Sequence, residues 1–246
     1  AEFATQGGGG SSKVKPIYTV DPEPGMKNVI AELGGDSDVS SFIVANDLSN
    51  LDEAVAAAKD ADIVVVMAGL IATEGADSPT MLMPNDQNTM VAELLGANDK
   101  TVVVLKSSAP MVMPWLADAS TVLEVWNQGV EDGHVVADLL FGKVNPSGKV
   151  PTTYPKREED WIGHDHPERY PGTNEGEGYD TMHYSEGLEM GYRWFQANDV
   201  EPQFAFGYGL SYTDFELADV AIEGSADGVK VSATVRNVGE VDGTET

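Results

Sequence analysis

The fold class this sequence predicts is α/β: a mostly parallel sheet sandwiched between helices, followed by the beginning of an all-β sandwich. Three observations predict it. The β-branched runs DIVVVM (62–67), TVVVL (101–105) and TVLEVW (121–126) recur at intervals filled by helical patterns, the alternation of a sheet covered on both faces. Beyond Pro155 the alternation stops. The end of the chain carries two strand-like runs, 216–222 and 229–236, separated by the turn former GSADG. The expected units are an α/β sandwich over 1–155, a long loop and linker over 156–210 returning onto it, and a truncated β domain over 211–246.

The elements follow in order. GGGGSS (7–12) reads as a flexible linker or as a loop whose glycines let backbone approach a neighbouring domain, and composition alone favours the linker. KPIYTVDPEPG (15–25) is turn-rich, and SSFIVA (40–45) has the content of a short strand. LDEAVAAAK (51–59) has helical spacing, with Ser49 or Asn50 placed to cap it. Helices are expected over 85–95 and 131–141, between and after the buried strands. KVPTTY (149–154) is expected as a final edge strand, because Pro151 has no N–H to give to a ladder. The stretch 156–184 is polar and without period; a loop of that length is usually functional or spans domains.

Composition narrows the function. Among 246 residues, 41 acidic side chains against 14 basic ones give a net charge of -27. Such a surface repels phosphate backbones and anionic headgroups, so neither nucleic acid nor membrane is expected as a partner, whereas a neutral substrate meets no repulsion. The acidity fits a salty habitat, secretion or simple solubility equally. No cysteine is present, which excludes disulfides and thiolate metal sites. No apolar run approaches the ~20 residues of a membrane span. The start AEFATQ lacks the basic and hydrophobic regions of an intact signal peptide.

Several signatures fail on spacing. GKVNPSGKV (142–150) has one residue too many for a P-loop and Val150 where Ser or Thr would hold magnesium. GYGLSYT is not a G-x-S-x-G elbow and offers no nucleophilic serine. His164 and His166 have no third ligand at a recognisable spacing and read as solvated. Neither a metal nor a cofactor is expected.

The remaining fragments act together: TEGADSPTMLMPNDQ (73–87), MPWL (113–116), VWNQGVEDGHVVADLLFGKVNPSGKVPTTYP (125–155), YSEGLEMGYRWF (184–195), FAFGYGLSYTDFE (204–216) and VRNVGEVDGTE (235–245). In that order they resemble the C-terminal region of glycoside hydrolase family 3, the β-glucosidase-like exo-hydrolases. GGGGSSKV also resembles the family's glycine-rich loop, which turns the linker reading towards a native loop. The resemblance implies a (β/α)8 barrel first, then an α/β sandwich, often followed by a fibronectin-III-like domain. This chain looks like the sandwich, lacking its first strand, plus the start of the third domain, with the barrel outside it.

Retaining glycosidases need a carboxylate nucleophile and a carboxylic acid about 5–5.5 Å apart, one attacking the anomeric carbon while the other protonates the leaving oxygen. In the family the nucleophile is an Asp on the barrel and the acid/base a Glu from a sandwich loop. Glu74 matches that loop, implied to follow the C-terminal end of the central strand, where α/β sheets hold ligands. Asp77 is the candidate for binding a sugar hydroxyl. Two departures stand out: Asp77-Ser78 replaces the Asp-Arg of many members, removing a cation that could tune nearby carboxylates, and Ala72 stands where some carry another Glu. The acid/base position varies between subgroups. A solvated loop carboxylate therefore stays the alternative for Glu74 and a turn cap that for Asp77, with Glu175, Glu177 and Glu186 the next candidate acids. Trp115 and Trp126 could line a sugar subsite but read more readily as core. Asn145 to Gly148 read as a turn, and Tyr192, Arg193 and Trp194 as packing the returning segment on the sheet.

The implied function is the acid/base half of a retaining exo-acting β-glucosidase acting on non-reducing terminal β-D-glucosyl residues. Its partners would be a β-glucoside or oligosaccharide substrate and the N-terminal (β/α)8 barrel of the same enzyme. A homodimer stays open as an assembly, and a secreted or periplasmic location is favoured. Without the nucleophile this chain alone is expected to be inactive. The alternatives are a β-xylosidase of the same family and a non-catalytic carbohydrate-binding or interaction module.

Overall fold

Parallel strands β1 (Val64–Leu70), β2 (Thr101–Ser107) and β3 (Thr121–Glu124) lie side by side in the order β1-β2-β3. They belong to a computed structural model that describes residues 8–36, 38–70 and 72–246; the AEFATQ start and Gly7 lie outside the described residues. β2 is the central strand of this sheet, so the expectation that Glu74 follows the central strand is corrected: it follows β1, at an edge.

The sheet is covered on both faces, as the unbroken apolar runs require. Helices α2 (Leu51–Asp60) and α3 (Gln87–Ala97) cover one face, where Val66, Ala68, Val103, Leu105 and Met111 meet Ala54, Val91 and Leu94. Helix α4 (Asp132–Leu140) covers the other, with Val136 against Val104 and Val125. Burial of each such aliphatic side chain contributes roughly 1.5–3 kcal/mol. A buried ion pair, Lys106 of β2 with Asp132 at the start of α4, ties that second face together.

Helix α1 (Pro22–Glu32) was masked in the sequence by its own prolines. Pro22 occupies the first helical position and Pro24 the first turn, where N–H groups have no intrahelical acceptor and proline costs little. α1 crosses α4 at two glycines: a Cβ on Gly25 would lie 2.2 Å from the Gly133 carbonyl carbon, and one on Gly133 would lie 2.1 Å from Asp21 O. Only glycine at both positions permits that approach.

Two strand expectations are overturned. Residues 40–45 form no strand, because the Asn50 side chain takes up their backbone: its Nδ2 donates to Ile43 O at 2.9 Å and its Oδ1 accepts from Ala45 N at 2.8 Å. For the same reason Asn50 stands at the N-cap of α2 without capping it by its side chain. KVPTTY does not join the parallel sheet as a strand. It bridges antiparallel to the 203–208 segment, Val150 N to Tyr208 O at 2.8 Å and Tyr154 N to Phe204 O at 2.9 Å, with Pro151 interrupting the ladder.

The stretch 156–190 is as irregular as its composition suggests, with one 3-10 turn (Glu158–Asp160) and the two-residue pair β4 (Thr173–Asn174) and β5 (Asp180–Thr181). Helix α5 (Tyr192–Ala197) then packs by aromatics, Tyr192 5.6 Å from Phe206, while the Arg169 guanidinium sits 5.3 Å over Trp194. The chain ends in an antiparallel hairpin, β6 (Phe215–Ser225) and β7 (Gly228–Asn237), with a bulge between Ala218 and Ala221. Its apolar side chains Leu217, Ile222 and Val231 are exposed. Among the described residues no helix is long and apolar enough to cross a membrane.

Candidate active site

The loops leaving β1, β2 and β3 are stitched together at the C-terminal edge of the sheet, the side on which α/β folds bind ligands. Ser108 N donates to Leu70 O at 3.0 Å, and the Ser108 hydroxyl accepts from Ala72 N at 3.2 Å and Asn127 Nδ2 at 3.1 Å. The TEGAD loop therefore starts from a fixed point.

Glu74 is exposed at the tip of that loop. The glycine run lies against it. Gly9 bridges Thr73 in parallel, and a Cβ on Gly8 would lie 2.3 Å from Ala72 O. Gly10, at φ 74°, adopts a conformation that disfavours other residues, and a Cβ there would lie 2.4 Å from the Glu74 Cβ. Residues 8–11 are thus no linker. Ser11 completes the contact: its backbone N–H donates to Glu74 Oε2 at 2.6 Å, and its hydroxyl donates to the same oxygen. These bonds, the hydroxyl's first, favour the charged form and hold the Glu74 carboxyl below the ordinary carboxylate range.

The rest of the loop is held from the long irregular segment. Tyr170 faces Asp77; burial, then hydrogen bonding to and the charge of the Asp77 carboxylate, push the Tyr170 phenol up. Trp161 braces Tyr170 edge-on at 5.1 Å. The Glu158 carboxylate accepts from Thr80 Oγ1 and from Met81 N. Asp77 lies exposed beyond this clamp.

Beneath the edge sits a second carboxylate that sequence reasoning did not single out. Glu124, the last residue of β3, accepts from Trp126 N at 2.9 Å, Ser107 Oγ at 3.0 Å and Tyr154 Oη at 3.2 Å. Burial pushes its carboxyl up, against the pull of those three donors. Burial and the Glu124 charge push the Tyr154 phenol up in turn.

The other candidates fall elsewhere. Glu175 pairs with His183, Glu177 is exposed, and Glu186 is half-buried 3.9 Å from Arg169 Nε. His166 pairs with Glu168 at 2.9 Å, and His164 lies 3.6 Å from Asp165. Trp115 is core, its Nε1 donating to Asn88 Oδ1 at 2.9 Å, and Trp126 is half-buried against the same core at φ 55°. Asn145 does more than turn the chain: its Oδ1 accepts from Ser211 Oγ and Tyr212 N, fastening the 211–212 segment to the sandwich. Ser11, Glu158 and Tyr170 were missed as well. Only for Ser11 was there a signal, its place directly after the glycine run.

The profile of the glycosyl hydrolase family 3 C-terminal domain matches residues 1–212. Among curated relatives, a β-glucosidase of Rhizobium radiobacter is 37% identical over 80% of this chain and 24% of its own length. Thermostable β-glucosidase B of Acetivibrio thermocellus is 35% identical over 97% of this chain and 32% of its own. The chain thus spans about a quarter to a third of the curated relatives it matches. Among solved structures, β-glucosidase 3B of Thermotoga neapolitana, in complex with α-D-glucose, superposes with a TM-score of 0.80 at 28% identity, covering 96% of this chain and 36% of that one. The β-glucosidase DesR of Streptomyces venezuelae, in complex with D-glucose, gives 0.73 at 38% identity over 78% of this chain and 24% of that one.

Proposed function

We propose a function from one premise: the chain belongs to glycosyl hydrolase family 3, as the family's C-terminal domain. On our reading it supplies the general acid/base, Glu74, to a retaining exo-acting β-glucosidase that releases non-reducing terminal β-D-glucosyl residues. The nucleophilic Asp belongs to a (β/α)8 barrel of the same enzyme, outside this chain. Asp77, on the same loop, binds a sugar hydroxyl. The hairpin after residue 212 is the opening pair of a fibronectin-III-like domain.

One observation carries the reading of Glu74. It is an exposed carboxylate on the loop after β1, at the ligand-binding edge, and that loop is held from two separate parts of the chain, through Ser11 and Glu158. General acid–base catalysis needs such a group, accessible yet fixed in place. In the first half-reaction the partner Asp carboxylate bonds to the anomeric carbon while the glycosidic C–O bond breaks, and the Glu74 proton passes to the leaving oxygen. In the second, water gives its proton to the Glu74 carboxylate and its oxygen to the anomeric carbon, releasing the Asp.

The test is Glu74→Gln in the full-length enzyme. Glucosides with poor leaving groups should lose ~10²–10⁴-fold in turnover, the usual worth of acid–base assistance. A dinitrophenyl glucoside needs little protonation, so its first step should survive and the glycosyl-enzyme accumulate. Azide, which needs no base to attack, should then restore turnover as the β-glycosyl azide. A Glu74→Gln enzyme that hydrolyses both substrates normally, or that azide does not rescue, would move the acid to Glu175, Glu177 or Glu186.

A further inference from the structure

The glycine run and Ser11 meet Glu74 in a way that catalysis alone does not require. Ser11 donates twice, from backbone and side chain, to one carboxylate oxygen, Oε2, while Oε1 accepts nothing among the described residues. Gly8 and Gly10 lie so close to Ala72 O and Glu74 Cβ that a side chain at either would displace the segment, and one at Gly9 would meet the Thr73 hydroxyl. Ser11 is thus brought up to the carboxylate by backbone whose close approach suits glycine.

We propose that Ser11 is a positioning residue for Glu74, fixing Oε2 and leaving Oε1 as the oxygen that carries the transferable proton. The inference rests on Glu74 being the acid/base, and it adds a consequence that this role does not supply. Two donors on Oε2 stabilise the carboxylate, the form needed to activate water, at the expense of the carboxylic acid, the form needed to protonate the leaving oxygen. Ser11 therefore sets the pH above which the acid step fails, and biases the enzyme towards its base step. A contact that merely stiffened the loop would scale the rate at every pH.

The sign follows directly. Ser11→Ala removes the hydroxyl donor and keeps the backbone one, so the Glu74 proton is held to higher pH. In this chain, with the Glu carboxyls labelled with carbon-13, the Glu74 titration should move upward in Ser11→Ala and return in Ser11→Thr, which keeps a hydroxyl. In the full-length enzyme the alkaline limb of kcat/KM for an alkyl β-glucoside should move upward with it, because that limb reports the free enzyme's acid. The alkaline limb for a dinitrophenyl glucoside should stay in place. Gly10→Ala, which drives a Cβ into Glu74, should reproduce the upward movement by a second route.

Uniform loss of rate in Ser11→Ala, with the alkaline limb unmoved, would overturn the proposal. So would an unshifted Glu74 titration, whatever the kinetics. The underlying assignment fails separately: full activity in Glu74→Gln would remove Glu74 from the chemistry, and with it the role proposed for Ser11, even if the titration responded to Ser11→Ala.

Discussion

Glu74 and Glu124 lie at the same edge of the same sheet, one on the loop after β1 and the other at the end of β3, and their surroundings drive them in opposite directions. Glu74 is exposed, and Ser11 lowers its pKa. Glu124 is enclosed by Ser107, Tyr154 and Trp126, and burial raises its pKa. A general acid works best with a pKa near the operating pH, so by perturbation alone Glu124 looks like the acid. Reach decides otherwise: three donors from its own chain occupy Glu124, whereas Glu74 keeps one oxygen uncommitted among the described residues. The difference teaches that perturbation reports an environment and access reports a role. On this reading the desolvation that would raise Glu74 into the working range comes from the barrel and the bound sugar.

The largest effect that could break this comparison is kinetic. In the full-length enzyme Glu74→Gln should cost an alkyl glucoside ~10²–10⁴-fold, while Glu124→Gln should stay near the parent rate. Glutamine suits the Glu124 site: its carbonyl can accept from Trp126 N, and its amide can donate to the Ser107 and Tyr154 hydroxyls once those turn round. Equal losses in the two variants would mean that the buried carboxylate takes part in proton transfer.

Stability should reverse the ranking. Glu124→Leu strips acceptors from the Trp126 N–H and the Ser107 and Tyr154 hydroxyls in a buried site. Each unpaired buried donor costs about 1–3 kcal/mol, and the hydroxyls can partly re-pair, so a total of roughly 2–4 kcal/mol is expected in urea unfolding. Glu74→Leu, at an exposed loop tip, should lower the midpoint much less than Glu124→Leu does. A Glu74→Leu as destabilised as Glu124→Leu would show that the loop is a structural element rather than a held reagent.

How far this contrast was legible in the sequence depends on the distance between partners. β1, β2 and β3 were plain because β-branched runs of buried strands are local signals, and α4 followed from its apolar spacing. Glu74 came from a motif resemblance. Its surroundings did not, since Ser11 lies 63 residues away from it and Glu158 lies 77 residues from Met81, and no local period encodes such pairs. The missed strand at 40–45 has a similar origin: its composition is strand-like, but the Asn50 side chain competes for its backbone. α1 was hidden because two prolines read as turn formers when they in fact open a helix. Glu124 was passed over because a glutamate inside TVLEVW looks like the solvent-facing member of a strand, and one of the groups enclosing it, Tyr154, arrives from a later segment.

The smallest effect sharpens the contrast through pH. Glu124 has a folded-state pKa raised above its ordinary value, so the folded protein binds this proton more tightly than the unfolded chain does. Stability from that group is therefore complete below the ordinary carboxylate pKa and is lost as pH rises through the raised one. Glu74 runs the other way: its pKa is lowered, so its contribution is present above the ordinary value and lost as pH falls through the lowered one. Comparing parent and Glu124→Gln across pH isolates the first term, because every other carboxylate cancels. The difference in unfolding free energy should be flat in acid, then tilt in favour of the Gln variant as pH climbs past the ordinary glutamate range, with a slope of at most about 1.4 kcal/mol per pH unit for one proton. A tilt of the opposite sign would mean that the three donors outweigh burial and that Glu124 is held as a stable carboxylate. In that case both glutamates at this edge would be tuned by hydrogen bonding, and access alone would distinguish them.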